Sequence, residues 1–254
     1  MNKWPLFTVL LALIVLPGLV WSALPGQSSS PPSSPPMYNA GPVTDYNLAL
    51  PNSGDVIQFR RGERYNIPDT SVAELGENSE ARLWTLPSSH FKKDPMPFAS
   101  SDVVVVGTVS AAQTHFSNDR RDIYSEFKIT IQDVVKNSAN PYLRVGNSVD
   151  IQRPGGAVRL PSGKVLTRAV YANSMPQIGG RYLLFLEHDP STEDYAVLMG
   201  YELDGDEVYR LDEVRVEDTY NPQPVGSLRR EGISESQFLD RTKSAFLAQE
   251  KGGS

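Results

Sequence analysis

The run ASSDVVVVGTVSAAQTHF, residues 99–116, decides how this chain is read. Val103, Val104, Val105 and Val106 stand together ahead of Gly107. Their β-branched side chains are stiff at χ1 and suit a pleated strand better than a helix. Successive side chains of a strand point to opposite faces, so four valines in a row require cover on both. Val103, Val105 and Val109 are expected on one side, with Val104 and Val106 on the other beneath an arm or a helix. Gly107 marks a bend or bulge where such a strand coils. The stretch reads as core, not as a catalytic segment.

Working outward, YSEFKITIQDVV (124–135) alternates: Phe127, Ile129 and Ile131 share one face, Glu126, Lys128, Thr130 and Gln132 the other. SNDRRD (117–122) between the two segments is rich in turn formers and predicts a hairpin tip. Short apolar segments follow at SVDIQRP, KVLTRAVY, RYLLFLEHD, YAVLMGYEL and EVYRLDEV, each bounded by Gly, Pro, Asp or Asn. Asp204-Gly205-Asp206 predicts a tight hairpin between the last two. This succession of short strands predicts an all-β sandwich or barrel. The end differs. In GISESQFLDRTKSAFLAQE (232–250), Ser234 caps with Gln237 three residues on. Phe238, Thr242, Ala245 and Phe246 form one stripe with Leu239 and Leu247 beside it, an amphipathic helix expected to dock on its own domain.

The chain has 254 residues, a formal charge of −6, 39% hydrophobic residues and no cysteine. These values fit a soluble globular protein of one ordinary domain plus extensions. The acidic balance argues against nucleic acid as partner, since phosphate binding wants a basic surface. At the N-terminus, MNK is followed by the uncharged run Leu6–Val20 and by Val20-Trp21-Ser22, the pattern of an export signal over residues 1–22. An uncleaved membrane anchor is the competing reading, though the run is short and Pro17-Gly18 interrupts it. The protein is therefore expected to be secreted, periplasmic or in the cell envelope, with membrane contact only through that segment. An exported chain without disulfides must rely on its hydrophobic core, which points towards a bacterial envelope protein.

Residues 23–42, ALPGQSSSPPSSPPMYNAGP, read as a solvated, semi-extended linker or a tail left after processing. Residues 43–98 read as an irregular N-terminal arm packed on the next domain. Within it DVIQFRRGERYNI suggests a strand and a turn around Gly62, VAELGE one helical turn, and Pro68, Pro87, Pro95 and Pro97 break regular structure. The domain proper is expected over 99–218, with a C-terminal extension and its helix over 219–254.

SDVVVVGTVSAA, YSEFKITIQDVVKN, VGNSVDIQRPGG and IGGRYLLFLE together resemble the netrin-like module, which includes the tissue inhibitors of metalloproteinases and related bacterial secreted domains. The matching positions are Asp102–Val109, Phe127–Val135, Val145–Ile151 and Tyr182–Leu186, within residues 99–200. The resemblance implies a mainly β fold: an OB-like antiparallel β-barrel with an irregular N-terminal arm and a C-terminal α-helix. The animal inhibitors chelate a protease's zinc through an N-terminal cysteine. With no cysteine, that route is closed to this chain.

His90, His115 and His188 each lack a second histidine or cysteine at metal-ligand spacing. No G-x-S-x-G elbow is present, and RPGGAV and IGGRY lack a P-loop lysine and read as turns. Carboxylates crowd residues 187–218, where a calcium site at Asp204 and Asp206 competes with a solvated Asp-Gly turn. No catalytic residue, metal ligand or cofactor is implied. Between Ile151 and Leu186, by contrast, there is no acid, while Arg153, Arg159, Lys164, Arg168 and Arg181 are present. Arg153, Arg159, Lys164 and Arg168 are the candidate ligand-binding residues, with Arg120 and Arg121 of the hairpin tip beside them. In one reading they receive an anionic glycan or an acidic envelope or extracellular protein. In the other, basic loop and acidic hairpin neutralise each other inside the fold. The sequence thus describes a non-enzymatic binding module. A protease inhibitor acting by loop insertion, a hydrolase with a scattered site at His115 or His188, and a structural envelope component are its rivals.

Overall fold

The computed structural model describes residues 41–69, 73–79, 83–86, 94–138, 142–170, 174–212, 229–230 and 232–252. The signal segment, most of the Pro/Ser-rich tract, His90 and residues 213–228 lie outside the described residues. In chain order the arm contributes β1 (Val43–Asp45), α1 (Tyr46–Ala49), α2 (Val56–Glu63) and β2 (Leu83–Leu86). There follow β3 (Val103–Phe116), β4 (Ile123–Asn137), β5 (Ser148–Pro154), β6 (Gly156–Arg159), β7 (Val165–Val170), β8 (Arg181–Asp189), β9 (Asp194–Asp204), β10 (Glu207–Arg210), β11 (Arg229–Arg230) and α3 (Glu235–Gly252).

The valine strand is the hub. β3 pairs antiparallel with β4 on one side and with β8 on the other. β4 continues to β5, β5 to β9, and β9 returns to β8, giving a ring of hydrogen-bonded strands. The fold is mainly β, as expected, but one step of the ring is parallel: Ile151 faces Tyr195 and Gln152 faces Ala196. The strands between β5 and β9 bring the chain back running the same way, which a hairpin cannot do.

Both faces of the valine run are covered as its sequence requires. Val103, Val105 and Val109 join Phe127, Ile129, Ile151 and Leu184 in the core on the inner side. Val104 and Val106 join Phe185, Met199 and Tyr201 on the outer side, beneath Phe98 of the arm and Phe238 of α3. At Gly107 the pairing with β4 shifts register. A Cβ there would press on the Ile129 side chain and come within 2.8 Å of the Thr130 carbonyl oxygen, so the bend needs glycine. Asp204 faces Glu207 across the two-residue turn that joins β9 to β10, and Gly205 takes a φ of +57°.

α3 begins with the expected box: Gln237 N–H donates to Ser234 Oγ and Ser234 N–H to Gln237 Oε1, each at 3.4 Å. Its stripe docks on the outer core through Phe238, Ala245 and Phe246, while Leu247 faces solvent.

The arm departs from expectation. DVIQFRRGER forms α2, not a strand and turn. Asp55 caps it, its Oδ1 accepting from Ile57 N–H and Gln58 N–H at 3.0 Å each. A cap outweighs the weak strand preference of two β-branched residues. Gly62 lies in its last turn because a Cβ would strike the Asn118 carboxamide at the tip of the β3–β4 hairpin. VAELGE makes no helix among its described residues. β1 and β2 pair parallel with β6 and β7, completing a second sheet in the order β1-β6-β7-β2. Tyr46, Ala49 and Leu75 of the arm share a core with Phe116, Ile123, Val158, Leu160 and Leu166.

Candidate functional site

The six cations singled out in the sequence divide sharply once placed. Arg153 points to the same side of β5 as Ile151 and is buried, 2% exposed. Its Nη2 lies 2.6 Å from Asp212 Oδ1, and Asp212 Oδ2 also accepts Gly200 N–H at 2.9 Å. Arg168 is likewise buried, with Nε 2.9 Å and Nη2 3.0 Å from the Asp122 carboxylate. Burial pushes the Asp122 carboxyl up to about 6 against the pull of Arg168. Removing one member of such a buried pair typically costs about 3–5 kcal/mol, so these residues hold the fold. Neither faces an outside ligand.

Arg120 takes a positive φ of 55° at the β3–β4 tip. Its Nη2 donates to Tyr46 Oη at 2.7 Å and to the Leu75 carbonyl at 3.2 Å. Arg121 N–H is bound by Ser117 Oγ and Asp119 Oδ1 within the tip. Both therefore organise the turn and the arm around it. Only Arg159 and Lys164 of the six face solvent. They flank the tip of the β6–β7 hairpin, where Leu160 N–H donates to the Lys164 carbonyl and Gly163 N–H to the Leu160 carbonyl. Arg159 Nη1 meets Asp45 Oδ1 at 3.0 Å, with side chains 54% and 62% exposed.

A larger electrostatic feature escaped sequence reading. α2 lies over the face of β4 and β5 that carries Glu126 and Gln152. Arg61 reaches Glu126 Oε2 at 3.0 Å, Asp150 Oδ2 at 3.5 Å and Asp194 Oδ2 at 2.8 Å. Arg64 reaches Asp189 Oδ2 at 2.7 Å and Asp194 Oδ1 at 3.0 Å. Asp194 is wholly buried, and Thr192 Oγ1 and Gln152 Nε2 donate to it at 2.8 and 2.6 Å. Burial opposes the Arg61 charge, but Glu126, Asp194 and Asp150 outweigh it and raise its pKa. Burial raises the Glu126 carboxyl, against Arg61. Asp189 sits at about 2, because hydrogen bonds from Ser191 and Arg64 outweigh its desolvation.

His115 closes one end of this seam. Its Nδ1 pairs with Gln58 Nε2 at 2.8 Å, and its ring stacks near Tyr124 at 5.4 Å. Burial, then the nearby Arg61 charge, lowers its pKa to about 4. It is therefore neutral at pH 7, and its 3.9 Å approach to Glu126 is not an ion pair. His188 stands elsewhere, beside Tyr195. Neither histidine meets two carboxylates in an open cleft, the arrangement a hydrolytic site would need. Asp204 and Asp206 are exposed on their turn. Among the described residues no three His, Asp or Glu side chains are placed to hold a metal ion.

The clue to the seam was the RRGER run in the arm. A charged pattern on one strand face reads as a solvated face, and its partners lie far along the chain, at least 65 residues away. The chain matches no protein-family model, and no curated protein matches it.

Proposed function

We propose that this chain is an exported, non-enzymatic binding module on an OB-fold of the netrin-like kind, and that it receives an anionic partner at the β6–β7 hairpin. Five strands form the ring, and after three consecutive antiparallel strands β8 returns to lie beside the first, a Greek-key route. That route supports the OB reading. The contact site rests on one observation. Of the six candidate cations, Arg153 and Arg168 are held by buried carboxylates, Arg120 by Tyr46 and the Leu75 carbonyl of the arm, and half-buried Arg121 stands 4.0 Å from Asp119, whereas Arg159 and Lys164 stand exposed on a hydrogen-bonded tip. The Arg159–Asp45 pair is open to water on both sides, so it contributes little and yields to a competing anion.

The favoured ligand is an acidic glycan, whose repeated charges suit two cations flanking a narrow tip. Titration of a carboxylated or sulfated polysaccharide, followed by calorimetry at low and high salt, tests this. The protein is expected to bind, more weakly as salt screens the contact, and the Arg159→Ala/Lys164→Ala variant to bind several-fold more weakly still. Equal binding by both proteins, or none by either, removes the hairpin as the contact. Binding of acidic proteins alone would make a protein surface the ligand.

A further inference from the structure

We propose that the outer face of the N-terminal arm, carrying Val43, Leu48, Val56, Ile57 and Phe59, rests on the surface of a lipid bilayer. These are five of the ten exposed large hydrophobic side chains among the described residues, gathered into residues 43–59. Scattered apolar residues on a surface need no explanation, but a gathered set does. Hydrogen bonds hold the segments that carry them against one stretch of β3. Gln113 Nε2 donates to the Leu48 carbonyl at 3.1 Å, and Gln58 of α2 pairs with His115 at 2.8 Å. Gln113 and His115 are two residues apart on one face of β3, about 7 Å along the strand. Thr114 N–H, between them, donates to Thr44 Oγ1 at 2.8 Å and so holds β1 alongside.

α2 has turned its polar side inward. Gln58, Arg61 and Arg64 are all engaged with the ring. Outward stand Val56, Ile57 and Phe59 together with Arg60 and Glu63, so the exposed side of α2 is amphipathic, with three large apolar residues where a helix facing only water carries polar ones. Arg60 stands at the rim, its Nη1 donating to the Ser191 carbonyl at 3.1 Å. Aliphatic and aromatic side chains edged by arginine suit the boundary between headgroups and acyl chains.

The chain that leads into this face identifies the occupant. Thr114 Oγ1, on the face of β3 opposite Gln113 and His115, donates to the Pro42 carbonyl at 3.0 Å, so the Pro/Ser-rich tract joins the fold at the edge of the strand segment that holds the patch. Before the tract comes the uncharged run Leu6–Val20. With that run retained in a membrane, a tract of 20 residues spans at most about 70 Å. It would hold the arm face at high effective concentration beside the bilayer. The inference rests on that run remaining attached, and the full chain is therefore the protein to test.

The absence of cysteine makes the test clean. Single variants Leu48→Cys and Val56→Cys, at positions 65% and 63% exposed, are labelled with a polarity-sensitive fluorophore. Val145→Cys and Leu247→Cys, at 64% and 53%, serve as open reference positions outside residues 43–59. Each full-length chain is reconstituted into vesicles of mixed phosphatidylcholine and phosphatidylglycerol that carry a headgroup-attached quencher. Unchanged circular dichroism against the cysteine-free parent establishes the fold. The arm labels are expected to shift to the blue and to be quenched several-fold more than the two reference labels. Phe59→Ser, added to Leu48→Cys, is expected to reduce that quenching. Labels at 48 and 56 that behave like those at 145 and 247 overturn the proposal, as does failure of the full chain to associate with the vesicles.

Discussion

Two helices cover the ring of strands, and they do so by opposite chemistry. α3 lays Phe238, Ala245 and Phe246 over the outer valines, with Phe238 and Tyr201 rings 4.7 Å apart. Its ion pairs, Lys243–Asp133 and Arg181–Glu235, stay at the edges. α2 lays Arg61 and Arg64 over Glu126, Asp150, Asp189 and Asp194 and leaves its apolar residues outside. Apolar contact is non-directional and grows with buried area, so it binds a helix wherever a stripe meets a stripe. A buried ionic seam offsets a large desolvation cost only while every partner is in position, which fixes one register and tolerates little displacement.

The largest expected effect lies under α3. Phe238→Ala should remove about 4 kcal/mol of global stability through lost burial and a cavity. Urea unfolding followed by tryptophan-independent far-UV signal should show one transition at a lower midpoint. Next, Asp194→Asn should cost about 3 kcal/mol by leaving two arginines short of their shared carboxylate. Its effect should be local: hydrogen exchange should quicken at α2 amides well before those of β3. If Asp194→Asn instead loosens β3 and α2 alike, the seam is part of the global core and the contrast between the helices fails.

A smaller effect sharpens the same contrast through pH. His115 has an ordinary pKa of 6.5 and about 4 when folded, so between those values the unfolded chain takes up a proton that the folded chain refuses. Stability from this group is present above about 6.5 and is lost as pH falls towards 4, with a slope of at most about 1 kcal/mol per pH unit. Asp122 works the other way. Its folded pKa of about 6 exceeds the ordinary 3.8, so its contribution is complete below 3.8 and fades as pH rises through 6. His115→Gln should therefore abolish the acid-side loss and expose the opposite slope of Asp122. Unfolding midpoints of both proteins across this range, showing parallel curves, would remove His115 from the seam's electrostatics.

The two helices also differ in how far the sequence disclosed them. α3 was visible because Phe238, Thr242, Ala245 and Phe246 repeat at helical spacing behind a Ser234 cap. The valine faces, the bend at Gly107 and the Asp-Gly turn were visible because each follows from local sterics. α2 was hidden. Its inward residues are charged, its large apolar ones face outward, and its partners belong to strands far along the chain. The parallel pairing of β5 with β9 was hidden for a similar reason, since no local pattern records which distant strand runs alongside. At the basic loop, the sequence left two readings open. Arg153 follows the internal one through Asp212, whereas Arg168 is held by Asp122 of the β3–β4 tip, outside the acidic segment; both are turned inward by the strand alternation that buries Ile151 and Leu166.

The parallel ladder between β5 and β9 holds two residue pairs, whereas that between β3 and β4 holds thirteen. A hoop parts at its shortest join, and Arg61 spans that join from Glu126 on β4 to Asp150 on β5 and Asp194 on β9. α2 is in mechanical respects a buckle. Tension drawn through the N-terminal end arrives at β1 and this buckle before any other part, and once it is undone the hoop opens beside it while the long β3–β4 ribbon stays zipped.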